Sequence, residues 1–245
     1  DVIAASGTVS MTGQHNTGAT YALSLSGSTS ITAGTGVTLE SLNNNTGTIA
    51  LLSSGGINGG SGTVLMRAAN YAFGGADRTI TTTGVLTIEP DADENSFASS
   101  FDNQYLNPVS VTGLTLGKSS NASAITLSRA ISLSGPVSIY GGSIDVNANI
   151  TANSGNILLD ADTGSTLNQS STGILLDDAI TIETVTSGNL TLIGRSGDTG
   201  SGFDGIDASS ANTTTLRSAG NLTLQGYSYA ASGSGRGVDL NNDVI

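Results

Sequence analysis

Two neighbouring carboxylates, Asp177 and Asp178, with Glu183 close behind, are the residues of this chain best suited to cutting a glycosidic bond. That chemistry by its usual route takes two carboxyl groups about 5 to 9 Å apart across the substrate. The pair follows Ile174-Leu175-Leu176, which reads as a strand end, and adjacent strand residues point to opposite faces. The two acids could therefore share a site only at a corner, and solvated acids closing a strand are the simpler reading. His15, the single histidine, falls in the polar turn Gln14-His15-Asn16-Thr17-Gly18, where no Ser-His-Asp argument can be built around it. Tyr227 and Tyr229, at alternate positions, share a face on which a sugar ring could stack, or they simply cover an edge. These grounds assign no catalytic or cofactor-binding residue, and the chain is expected not to be an enzyme.

Cation binding has better candidates. Thr199-Gly200-Ser201-Gly202-Phe203-Asp204-Gly205-Ile206-Asp207 matches most of a calcium-binding nonapeptide repeat, lacking its first glycine. That motif holds calcium when tandem copies stack, and here no second copy follows. One repeat later Arg236 stands where Asp204 stood. Asp91, Asp93 and Glu94 offer further oxygen ligands of the kind calcium takes, without a defined ligand spacing. Asp204, Asp207, Asp91, Asp93 and Glu94 are thus the candidate ligands and calcium the candidate ion. A glycine-rich turn and a solvated acidic loop are the plainer readings.

What must position these groups follows from composition. The chain has 34 Gly but 4 Phe, 6 Tyr and no Trp, so its core must come from aliphatic side chains in narrow, evenly spaced layers. Seven basic residues against nineteen acidic ones give a formal charge of -12, which argues against nucleic acid or an anionic membrane as partner. There is no cysteine, hence no disulfide or thiolate metal site. No apolar run reaches the length of a membrane span, and membrane insertion is not expected.

Short alternating strands run almost the whole length. Val9/Met11, Val37/Leu39, Ile49/Leu51, Leu86/Ile88, Ile125/Leu127, Val137/Ile139, Ile157/Leu159 and Ile174/Leu176 each place two apolar residues on one face. Gly, Asn and Ser bound nearly all of them, as turns require. A longer period is also present. Gly188-Asn189-Leu190-Thr191-Leu192 recurs as Gly220-Asn221-Leu222-Thr223-Leu224, and Gly205-Ile206-Asp207 recurs as Gly237-Val238-Asp239, both 32 residues on. Such a period implies a solenoid, propeller or array. The very short strands, tight Gly/Asn corners and lack of aromatic blade signatures favour a β-solenoid. An antiparallel β-sandwich is the competing arrangement. Residues 89–108, with two of the three prolines and a cluster of acids, break the rhythm and read as a loop excursion.

The segments Gly188 to Leu192, Gly220 to Leu224 and Ser154-Gly155-Asn156-Ile157-Leu158-Leu159 resemble the repeat region of filamentous-haemagglutinin-like exoproteins, adhesins exported by two-partner secretion. The resemblance implies an all-β, right-handed parallel β-helix, here of roughly ten coils over residues 1–245. It further implies a bacterial protein that is secreted or displayed on the cell surface. The expected function is a structural or adhesive shaft, partnered by itself or by neighbouring repeats stacked end to end, and by host or cell-surface glycans. The alternative is a polysaccharide-binding or polysaccharide-degrading β-helix of the tail-spike or lyase type. Because the chain opens Asp1-Val2-Ile3 and closes Asp243-Val244-Ile245, one unit of a longer tandem array is expected.

Overall fold

The computed structural model describes all residues except 15–20, 43–46, 53–54, 76, 92–94, 109, 162–170, 178, 199–200, 210–212, 230 and 241–245. Among the described residues there is no helix, and the chain is built of short β-strands. It divides into two compact units, Asp1–Gly117 and Lys118–Ile245. Every strand pairing within them is parallel, which excludes the antiparallel sandwich. The physical reason is that successive strands do not return as hairpins; within each sheet a strand pairs with the one three places further along the chain.

In the first unit this order makes three sheets. Val2–Ala4, Ile31–Ala33, Ile57–Asn58, Arg78–Thr81 and Leu106–Pro108 form one. Thr8–Gly13, Gly36–Ser41, Val64–Arg67, Val85–Glu89 and Gly113–Leu116 form the second, and Leu23–Leu25, Thr48–Leu51 and Asn70–Phe73 the third. In the second unit Ile125–Leu127, Ile144–Val146, Ile174–Leu176, Ile206–Asp207 and Val238–Asp239 pair in turn. So do Ile131–Leu133, Ile150–Ser154, Thr181–Ser187 and Thr215–Arg217, and so do Val137–Tyr140, Ile157–Ala161, Leu190–Arg195 and Leu222–Tyr227.

The alternation seen in the sequence becomes columns of like side chains. Val137, Ile157 and Leu190 lie in register, as do Ile139, Leu159 and Leu192, and all six are fully buried. Burying each such side chain contributes roughly 1.5–3 kcal/mol before the ordering of the chain is set against it. The 32-residue repeat is the register itself: Leu190 pairs with Leu222, Leu192 with Leu224, Ile206 with Val238. Elsewhere the spacing varies, from 19 residues between Ile125 and Ile144 to 34 between Ile182 and Leu216, and the corners absorb the difference.

The Gly-Asn corners stack as the strands do. Gly155 and Gly188 both hold positive φ, 124° and 113°, and a Cβ at Gly188 would collide with the Gly155 carbonyl. The next residue binds its counterpart one layer on. Asn156 Oδ1 accepts from the Asn189 amide and Asn189 Oδ1 from the Asn221 amide, each at 2.9 Å. Outward side chains in the first unit are also paired by register. Arg67 lies between Glu40 and Glu89 at 3.8 and 2.5 Å, and the hydrogen bond to Glu89 raises its pKa.

One inward position breaks the aliphatic rule. Arg78 is fully buried, and its guanidinium donates to the carbonyls of Gly55, Leu25 (3.2 Å) and Thr29 (3.4 Å). Desolvation lowers its pKa, and the backbone oxygens facing its two terminal nitrogens offset part of what burying the charge would otherwise cost.

Candidate functional site

The best-assembled cluster of the sequence candidates lies in the second unit. Asp207 and Asp239 are register partners one layer apart, and Asp204 precedes Asp207 at the same corner. One carboxylate oxygen from each of the three lies within 4.8 Å of the others. Asp204 and Asp239 are buried and Asp207 half-buried. Asp239 could have been read from the repeat, since it recurs 32 residues after Asp207.

Three acids this close need positive charge, and the chain supplies it. The Arg236 side chain pairs with Asp239 Oδ2, while its backbone N–H donates to Asp204 Oδ1. The Ser209 amide donates to Asp207 Oδ1 at 2.8 Å. Desolvation pushes the Asp204 carboxyl up; the Arg236 amide bond opposes this, and the charges of Asp207 and Asp239 add to it. Chemically, the cluster can hold a cation through oxygen ligands. Calcium takes six to eight such ligands, and Arg236 already occupies the Asp239 carboxylate. The substitution of Arg236 for an aspartate one repeat on therefore has a consequence in space: the second layer answers the first layer's acid with a base.

The other candidates are dispersed. Asp91 is buried in the first unit, and Asp93 and Glu94 lie outside the described residues, as do His15 and Asp178. Asp177 is exposed. Oriented so that its amide nitrogen donates, Asn147 bridges Asp177 and Asp145 at 2.8 Å each. Glu183 pairs separately with Arg217 at 3.4 Å. Tyr227 and Tyr229 do share a face, but the Arg195 guanidinium lies over both rings, 5.7 and 5.4 Å from their centroids. The platform imagined for a sugar carries a cation instead.

A second feature was only half legible. The excursion over 89–108 brings Phe97 and Phe101 against Tyr71 and Phe73 of the strand Asn70–Phe73. Tyr71 meets Phe97 and Phe101 edge to face, centroids 5.9 and 5.5 Å apart; Phe73 meets Phe101 likewise at 6.1 Å and tilts against Tyr105. Between them opens a cavity of about 210 Å³. The Tyr71 hydroxyl donates to the Glu89 carbonyl at 3.1 Å, and desolvation raises its pKa well above the usual value. Tyr71 and Phe73 stand at alternate positions, a strand signal that sequence reading passed over because its residues are not aliphatic.

Comparison with protein-family models, with curated proteins and with solved structures yields no match to this chain.

Proposed function

We propose that the chain is a right-handed parallel β-helix and serves as a structural or adhesive segment of a large secreted, surface-displayed bacterial fibre. The observation that carries this reading is the three-strand periodicity with in-register parallel pairing, repeated layer after layer in both units. A chain wound this way puts most of its residues into holding identical layers together, which is what a shaft needs. The glycine corners and asparagine ladder serve the same end.

Stacking against a neighbouring repeat or a second copy belongs to the proposal. Leu222 is 45% exposed although its register partner Leu190 is fully buried, so a further layer of the same kind would cover it. The pair that the enzyme alternative rests on, Asp177 and Glu183, has separate partners. Electron microscopy of the native material tests the reading. Filaments are expected; discrete particles, or a depolymerase activity abolished by Asp177→Asn, would replace it with the polysaccharide-acting alternative.

A further inference from the structure

We propose that the cavity beside Asn70–Phe73 binds one neutral pyranose ring, presented as the terminal residue of a glycan. This gives the adhesive half of the reading above a ligand class, and rests on it only for its biological sense.

The argument begins with what the register leaves undone. Tyr71 pairs with Ile49 and Phe73 with Leu51, two fully buried core residues, so both rings occupy inward columns. Among the described residues Asn70–Phe73 is the last strand of its sheet. Where the ladder would continue, the excursion places the rings of Phe97 and Phe101; its short strand Phe101–Asp102 belongs to a different sheet, and the Ala98 backbone N–H bonds back to the Ala69 carbonyl at 2.8 Å. Five aromatic side chains line this one cavity, in a chain holding only six tyrosines and four phenylalanines.

A plug whose sole task was packing would close the space, because protein interiors leave few voids larger than a water molecule. Here the rings stop short of closure. Phe97 and Phe101 are buried and form the floor, while Tyr71, Phe73 and Tyr105 are half-buried walls. The remaining lining is polar: Asn70, Ser99, Ser100, Asp102 and Gln104. Apolar walls with a few placed polar groups are the usual form of a small-ligand site.

The polar groups decide the ligand. Amide, hydroxyl and carboxylate together match a molecule with several hydroxyls and an apolar C–H face, which is a sugar ring. A quaternary ammonium would use the aromatic faces but none of these hydrogen-bonding groups. The rim is also held in place before any ligand arrives. Ser99 Oγ donates to Asn70 Oδ1 and the Gln104 backbone N–H to Asp102 Oδ1, both at 2.9 Å. Volume limits the ligand to a single ring, since the pockets that take drug-sized molecules run to roughly 300–1,000 Å³ and this one is smaller. Charge selects a neutral sugar: the lining holds Asp102 and no basic residue, on a chain of net charge -12.

Saturation-transfer NMR tests this on the whole chain, using methyl glycosides of neutral hexoses and N-acetylhexosamines, with methyl glucuronide and tetramethylammonium as contrasts. A neutral glycoside is expected to bind. Tyr105→Ala and Gln104→Ala should each weaken it at least tenfold with the circular dichroism spectrum unchanged, and Tyr229→Ala should leave it unaltered. Absence of any neutral glycoside signal at tens of millimolar overturns the proposal, as does binding that survives both cavity variants. Equal or better binding of glucuronide or tetramethylammonium overturns it too. Filament images report on the shaft alone, so failure of the sugar site and failure of the fibre reading are distinct results.

Discussion

The two units solve the same packing problem differently. In the second, the columns Val137-Ile157-Leu190 and Ile139-Leu159-Leu192 repeat one kind of side chain, and the interior they line is aliphatic. In the first, a guanidinium sits where an aliphatic residue would be expected, and one sheet stops at Asn70–Phe73 with aromatic rings above it. The difference teaches where a layered protein can hold anything beyond its own layers. Where every layer matches its neighbour, each inward side chain is committed to the one above and the one below. Where a ladder is interrupted, larger side chains and open volume appear, and with them room for a ligand.

The comparison can be broken most sharply in the aliphatic stack. Leu192→Asp buries a carboxylate between Leu159 and Leu224 and should cost roughly 3 kcal/mol or more. Thr191→Asp, one residue away and only half-buried, should change stability by no more than about 0.5 kcal/mol. Urea denaturation of the two variants measures the contrast; equal losses would mean that the inward columns do not carry the fold.

Arg78→Met asks whether the first unit's buried charge is a necessity. Removing it strips the carbonyls of Gly55, Leu25 and Thr29 of a shared donor, at about 1–3 kcal/mol for each one left unsatisfied. A net loss of about 2 kcal/mol is expected, since the methionine returns some apolar burial. A variant as stable as the parent would show that the first unit does not need its buried charge.

Asn189→Ala sharpens the corner argument. It removes the acceptor that serves the Asn221 amide while keeping the strand, and should cost about 1 kcal/mol, read as a lowered urea midpoint. The smallest effect is expected at the acid cluster. Burial raises the folded-state pKa of Asp204 above its ordinary 3.8, so the charged carboxylate works against folding at neutral pH. As pH falls toward the raised value, the native state takes up the proton first and this group's contribution turns more favourable. Asp204→Asn should therefore raise the neutral-pH Tm by about 2 °C, with the gain shrinking on acidification. A gain that grows as pH falls would reverse the sign of this coupling.

Strand existence was written in the residue pattern because period-2 alternation of Ile, Leu and Val admits few other structures. The 32-residue recurrence carried the register as well, since identical segments stack best upon themselves. Val64–Arg67 and Arg78–Thr81 were missed because Met66, Arg67 and Arg78 blur the alternation. Alternation alone is the same for parallel and antiparallel sheets; outside the 32-residue recurrence, which already implied like segments stacked in one sense, only the pairing of each strand with the third one on decides between them. The candidate sites divide the same way. The sequence alone named Asp204 and Asp207, and its repeat implied Asp239; that Arg236 would pair with Asp239 and bond Asp204 through its backbone N–H is a matter of distance across a corner. The aromatic cavity belongs wholly to tertiary structure. Tyr71 and Phe101 stand thirty residues apart, and nothing local couples them. They meet because the ladder stops at Asn70–Phe73 and the following excursion folds its rings against that strand.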